Sequence, residues 1–252
     1  MIIEYHRPNS LEEAIQLLQR AEVRTVPMGG GSILSAPSSE PVAVVDLQGL
    51  NLHAVRDLGN FMEIEAGVTL QALLETPKIQ SGLIEAIQHE AAYNLRQVAT
   101  VAGALVSASG RSPFGTAMLA LDAALTLQPG GEQASLGEVL SFRDEFLRGK
   151  LITQVTIPLN ARLACAYVAR SPADLPIVWT AVATWPSGRT RLALGGFGSA
   201  PKLAMDGPEM EGAETAAEDA YASAGDEWAT AKYRREAAKT LTRRCLEILQ
   251  EV

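Results

Sequence analysis

The apolar pattern of this 252-residue chain changes at Pro158, and that change constrains the fold more than any other feature. Before Pro158, short amphipathic helical patterns alternate with buried or half-buried strand patterns. After it, the pattern is typical of antiparallel strands, and a turn at 186–188 joins the last two as a hairpin. Three strands are predicted there, over residues 163–170, 177–185 and 190–197. Two closing helices are predicted near 213–224 and 229–250.

These patterns predict an α+β protein with three units. The strand, helix and strand signals of residues 1–55 form a first α/β lobe. Residues 56–158 form a second lobe, whose last strand should stop at Pro158 because proline cannot continue a sheet ladder. Residues 159–252 form a C-terminal domain with a three-stranded antiparallel sheet and helices.

The distribution of charge argues against a nucleic-acid partner. The chain has 21 basic and 29 acidic residues. Eight acidic residues and no basic one fall between Leu203 and Ala231, so the rest of the chain is neutral and no basic face stands out. We interpret this acidic stretch as a solvated connection with a polar helix. The net-positive segment after it, 232–252, is predicted to dock against this acidic neighbour.

The sequence also argues against a membrane-spanning, a secreted and a metal-binding protein. No apolar run approaches the ~18 residues that a membrane span needs. The first residues lack the pattern of a signal peptide. Cys165 and Cys245 suit a reducing cytoplasm, so we expect a cytoplasmic protein. The three histidines are scattered and neither cysteine has a metal-type partner nearby, so no metal site and no catalytic side chain are predicted.

The first candidate ligand site is a glycine loop directly after a predicted strand, Met28-Gly29-Gly30-Gly31-Ser32-Ile33. Glycines let a backbone approach a ligand closely, and consecutive N–H groups can cradle a phosphate. The spacing is not that of a Rossmann turn. The alternative interpretation is a tight or flexible loop without a ligand.

The second candidate is the small-residue segment Thr100-Val101-Ala102-Gly103-Ala104. Residues 91–121 contain no carboxylate but do contain Arg96 and Arg111. Small side chains with cationic flanks suit an anion such as a diphosphate. A buried strand and turn with small residues for packing is the alternative interpretation.

With two such loops, one in each predicted lobe, the chain resembles the FAD-binding medium subunit of the molybdenum hydroxylases, the xanthine dehydrogenase and carbon monoxide dehydrogenase type. Short motifs of the family occur along the whole chain in the family's order. Each motif alone is unspecific, but all of them in that order are specific. It is carried by Tyr5-His6-Arg7-Pro8-Asn9-Ser10, the glycine loop, Val45-Asp46-Leu47, Glu65-Ala66-Gly67-Val68-Thr69-Leu70, Asn94-Leu95-Arg96, the second segment, Met118-Leu119-Ala120-Leu121-Asp122-Ala123, Leu151–Pro158, Tyr233-Arg234-Arg235 and Leu241-Thr242-Arg243-Arg244.

The resemblance implies two FAD-binding lobes of the vanillyl-alcohol-oxidase-like type. It implies a flavoprotein subunit that passes electrons from an iron–sulfur subunit to an external acceptor. A molybdopterin-binding large subunit and a 2Fe–2S small subunit would be separate chains, and this chain would be inactive alone. The diphosphate would lie on residues 28–33 and 100–104, and Ile152 would be an apolar contact of the flavin ring.

Departures from the family pattern define an alternative. The family's second loop usually reads Thr-Ile-Gly-Gly-Asn, and Ala102 and Ala104 replace a glycine and the asparagine. If residue 102 needs a positive φ, an alanine there is strained. Pro113 stands where the family usually has an aspartate. These changes put FAD binding in doubt and favour, as the second hypothesis, a flavin-free structural or assembly subunit with a degenerate FAD site. A self-contained flavin oxidase ranks third, because no acid or base for it is apparent.

Overall fold

The computed structural model describes residues 1–251 and begins with a small parallel sheet. Its strands are β1 (Ile2–His6), β2 (Thr25–Met28) and β3 (Val42–Asp46), in the order β1-β3-β2. Helix α1 (Leu11–Leu18) crosses from β1 to β2. The Ser10 hydroxyl caps it by accepting the Glu13 N–H, as the sequence predicts. The buried face of α1 packs on this sheet and on Leu151 of the next unit.

The second unit is built on a five-stranded antiparallel sheet. Its strands, in the order β4-β5-β8-β6-β7, are β4 (Val55–Asp57), β5 (Phe61–Glu65), β6 (Ala124–Gln128), β7 (Glu132–Ser135) and β8 (Leu151–Pro158). As predicted, β8 ends at Pro158. Its helices are α2 (Leu70–Leu74), α3 (Ser81–Glu90), α4 (Tyr93–Arg96), α5 (Val101–Ser107), α6 (Pro113–Ala120), α7 (Leu136–Ser141) and α8 (Arg143–Phe146).

The third unit has one strand more than the sequence predicts. Its antiparallel sheet has the order β12-β11-β10-β9, from strands β9 (Arg162–Val168), β10 (Val178–Thr184), β11 (Thr190–Gly195) and β12 (Lys202–Gly207). The fourth strand, β12, begins at the edge of the acidic stretch that we interpreted as a connection. It is an edge strand with no fully buried residue, so it lacks the apolar alternation by which a strand is predicted.

The third sheet is covered on both faces, which explains why β10 is buried along its whole length. Trp179, Ala181 and Ala183 face the second unit, where α6 packs on the sheet. Val178 and Val182 face the closing helices α9 (Ala213–Ala220) and α10 (Ala231–Gln250). A strand covered on both faces reads as a continuous apolar run.

The predicted docking of the basic last helix on its acidic neighbour is confirmed. On α9, Glu218 accepts from Arg235 at 3.0 Å and from Lys239 at 3.3 Å, both on α10. Arg234 of α10 is fully buried and binds both carboxylate oxygens of Asp226, in the loop before that helix. Among residues 1–251, no helix has the length and apolar character needed to cross a membrane.

Candidate functional site

The glycine loop leaves the carboxyl end of β2, at the edge of the parallel sheet where Met28 pairs with Asp46. Within residues 1–251, the backbone N–H groups from Gly29 to Ile33 form no hydrogen bond. Gly31 has φ +69°, which suits glycine. The loop is closed behind these groups, because Ser35 donates to the Gly31 carbonyl from its backbone N–H (3.0 Å) and from its hydroxyl (2.6 Å). Consecutive unpaired donors of this kind form a cradle for an anion.

The second segment is the first turn of a helix, and neither a loop nor a strand. Thr100 caps α5 by accepting the Gly103 N–H at 3.2 Å. Ala102 has an ordinary helical backbone and not a positive φ, so the condition under which an alanine would be strained there is not met. The side chains of Val101, Ala102 and Ala104 are buried, and Gly103 alone in this turn is exposed.

The structure brings the two segments into direct contact. A Cβ on Gly29 would lie 2.6 Å from the Thr100 Oγ1, and a Cβ on Gly30 would lie 1.5 Å from the Val98 carbonyl oxygen. Gly29 and Gly30 are therefore required for the close packing of the first unit against the second, whether or not a ligand is bound. The backbone donors of residues 29–33 and the Thr100 hydroxyl consequently lie together where the first and second units meet, and this place is called the cleft below.

The cations that flank the second segment have other partners. Arg96 donates to the Gln71 side chain at 3.1 Å and to the Ala91 carbonyl at 2.7 Å. Arg111 donates to the Leu175 and Pro176 carbonyls, and burial lowers the pKa of its guanidinium. Both side chains donate to neutral acceptors of the chain itself, and the prediction that they supply charge to a diphosphate stays a prediction.

Ile152 lies on β8 and is 5 % exposed, within the same apolar core as Val101 and Ala102. Its contact with a flavin ring stays a prediction. Pro113 is the first residue of α6, behind the cap residue Ser112.

A carboxylate at the start of α6 was missed from the sequence. Glu90, at the end of α3, accepts the Ser112 hydroxyl at 2.7 Å and the Phe114 N–H at 3.0 Å. Burial raises the pKa of the Glu90 carboxyl. Since Glu90 lies just outside the carboxylate-free segment 91–121, no spacing rule could have connected it to α6.

The chemistry available to this cleft is binding. Within the described residues 1–251, no group of three or more His, Cys, Asp or Glu side chains could hold a metal ion. The cleft offers backbone N–H groups and a hydroxyl, with no acid–base pair among its predicted residues. Its backbone donors can position a phosphate-bearing ligand.

Comparisons with known proteins agree with this geometry. Residues 1–160 match the family described as FAD binding domain in molybdopterin dehydrogenase. Protein YgfM of Escherichia coli K12, uncharacterized, is 30 % identical over 202 residues, which are 79 % of this chain and 76 % of that protein.

Two solved structures share the fold over nearly the whole chain. Reconstituted CO dehydrogenase from Oligotropha carboxidovorans superposes with a TM-score of 0.83 at 24 % identity, covering 97 % of this chain and 96 % of that one. Quinoline 2-oxidoreductase from Pseudomonas putida 86 gives 0.76 at 22 % identity, with 96 % and 94 % covered. The match over residues 1–160 establishes that the chain belongs to the family of FAD-binding domains of molybdopterin dehydrogenases.

Proposed function

We propose that this chain binds FAD and serves as the electron-transferring flavoprotein subunit of a molybdenum hydroxylase-like oxidoreductase. One observation carries the proposal: the backbone N–H groups of residues 29–33 are unpaired, and Gly29 of the same loop packs against Thr100 of the second segment. Family membership supports FAD as the ligand, and a diphosphate is the part of FAD that such donors suit.

The residues present fit the diphosphate. Donors would come from the backbone of Gly29 to Ile33 and from the Thr100 hydroxyl, whose oxygen already accepts from Gly103 and whose hydrogen is left to donate. Because these donors are mostly backbone groups, replacement of side chains in the second segment leaves them in place. When bound, FAD supplies the redox chemistry, and this chain's residues hold and orient it.

The partners in this proposal are separate chains: a large molybdopterin-binding subunit and a small 2Fe–2S subunit. The chain would then be an oxidoreductase subunit of the cytoplasm that turns over no substrate alone. Co-purification from the native source should recover both companions. Turnover of a substrate by the isolated chain would contradict the subunit proposal and favour a self-contained oxidase.

A test of the cradle has to spare the packing between the two units. Gly30→Val is unsuitable, because its side chain would collide with the Val98 carbonyl before meeting any ligand. Ser32 is exposed, so Ser32→Asp introduces a carboxylate beside the unpaired donors without filling the interface. Ser39→Asp is the matched control, because it adds the same charge to an exposed serine of the same connection between β2 and β3.

We expect wild-type protein and Ser39→Asp to bind FAD near one equivalent in a fluorescence titration. Ser32→Asp should bind at least about tenfold more weakly, a change of roughly 1.4 kcal/mol, because two anions repel. Equal affinity of the two variants would show that the diphosphate lies elsewhere. A colourless wild-type protein that ignores added FAD would support the flavin-free structural subunit, although the strain at Ala102 that favoured it is absent.

A further inference from the structure

We infer that Arg143 is a positioning residue for the cofactor cleft: it holds the carboxyl end of helix α5, whose other end contributes Thr100 to the cleft. The inference rests on the proposed function, because it concerns the site at which FAD would bind. Arg143 begins α8 and lies at the carboxyl end of α5, opposite the end that contacts the glycine loop. Its guanidinium connects two distant parts of the second unit.

The contact is bidentate and made only with backbone oxygens. Arg143 Nη1 donates to the Val106 carbonyl at 2.7 Å, and Nη2 donates to the Ala108 carbonyl at 2.8 Å. Within residues 1–251, no carboxylate lies within 4.0 Å of this guanidinium. Arg143 is therefore committed to the carboxyl end of α5.

Helix α5 needs this support for two reasons. It has seven residues, and helices this short are marginal without tertiary contacts. Its last turn also contains no basic residue, so the helix supplies no cation of its own to its terminal carbonyls. A cation near a helix carboxyl end is stabilising, and Arg143 provides it from a separate element.

Movement of α5 would be transmitted to the cleft. Thr100 caps the helix through Gly103, and its side chain is in close contact with Gly29 of the glycine loop. The buried side chains of Val101 and Ala102 fix the first turn to the core. A helix about 10 Å long that is released at its carboxyl end would pivot about this anchored turn, so losing Arg143 would turn the Thr100 cap against Gly29.

The experiment compares Arg143→Met and Arg143→Lys with Arg148→Met. Arg148 is exposed, its side chain has no hydrogen-bond partner within residues 1–251, and it is a matched control two residues beyond Phe146. Three quantities are measured for each full-length variant: the FAD dissociation constant, hydrogen exchange of amides 104–108 without FAD, and the melting temperature. A fourth variant, Val182→Ala, lowers stability from the remote core beneath α10.

We expect Arg143→Met to weaken FAD binding roughly tenfold or more, the scale found for residues that support metal ligands from behind. Its amides 104–108 should exchange faster, whereas Arg148→Met should match the wild type in both measurements. The FAD affinity and amide exchange of Arg143→Lys should lie between those of the wild type and Arg143→Met, because an ammonium group cannot bind two carbonyl oxygens with the fixed geometry of a guanidinium.

Wild-type affinity or unchanged exchange in Arg143→Met would overturn the inference while leaving the proposed function intact. The inference would also be overturned if Val182→Ala, with the same drop in melting temperature as Arg143→Met, weakened FAD binding by the same factor. Failure of both the wild type and Arg148→Met to take up FAD would instead refute the proposed function, and this inference with it.

Discussion

The packing of Gly29 against Thr100 predicts a strong energetic coupling between two residues that lie far apart in sequence. An alanine at residue 29 would place its Cβ 2.6 Å from the Thr100 Oγ1, 2.9 Å from its Cγ2 and 3.3 Å from its Cβ. Carbon atoms in van der Waals contact are about 3.5–4.0 Å apart. Gly29→Ala should therefore destabilise the protein by about 1–3 kcal/mol, the usual cost of overpacking.

The same geometry predicts that Thr100→Ala relieves the collision. It removes the Oγ1 and Cγ2 atoms and leaves only the 3.3 Å contact with the Cβ. Thr100→Ala alone should cost about 0.5–2 kcal/mol through loss of the helix cap. In that background, Gly29→Ala should cost about 0.5 kcal/mol or less, so the two changes should couple by about 0.5–3 kcal/mol.

The assay is urea unfolding of the wild type, both single variants and the double variant, without FAD. Gly137→Ala is the control for the glycine change, because its added Cβ on α7 would lie 3.4 Å from the Leu119 Cδ1, an ordinary contact. It should be neutral or slightly stabilising, since alanine favours helix. Strictly additive effects of Gly29→Ala and Thr100→Ala would refute the proposed contact between the two segments.

Two further expectations concern buried charges. Burial raises the pKa of Glu90, so the folded state is favoured below the ordinary glutamate pKa and loses that contribution as pH rises. Glu90→Gln, which still accepts from Ser112 and Phe114, should therefore be more stable than the wild type at pH 8, with the gap closing near pH 4 in thermal melts. Arg234→Met should lower the free energy of unfolding by about 3–5 kcal/mol, because it leaves the buried Ile177 and Ala224 carbonyls without their donor, at about 1–3 kcal/mol for each, and removes the partner of Asp226. A loss under 1 kcal/mol in urea titration would contradict this.

The departures from the family pattern have a plain structural meaning. Ala102 and Ala104 lie in the buried part of the first turn of α5, where small apolar side chains pack and a positive φ is not required. Pro113 occupies the first position of α6, where proline is well tolerated. None of the three replacements removes a backbone donor from the glycine loop, and for this reason we propose FAD binding over the flavin-free alternative.

Local patterns were sufficient for many elements. The capping residue Ser10, the apolar face of α1, the end of β8 at Pro158 and the hairpin between β10 and β11 all follow from short-range rules on periodicity, capping and turns. The glycine loop after β2 was likewise predictable, because glycines directly after a strand are a local signal.

Tertiary structure alone decided what surrounds that loop. Its contact with Thr100, the commitment of Arg111 to the Leu175 and Pro176 carbonyls, and the bond from Glu90 to the start of α6 join residues far apart in the chain. Edge strand β12 could not be predicted from the sequence either, because a strand with no buried face needs no apolar alternation. Periodicity and capping depend on neighbours within a few residues, whereas polar partners are chosen by which groups the packed units leave unsatisfied, and that choice exists only once the chain is folded.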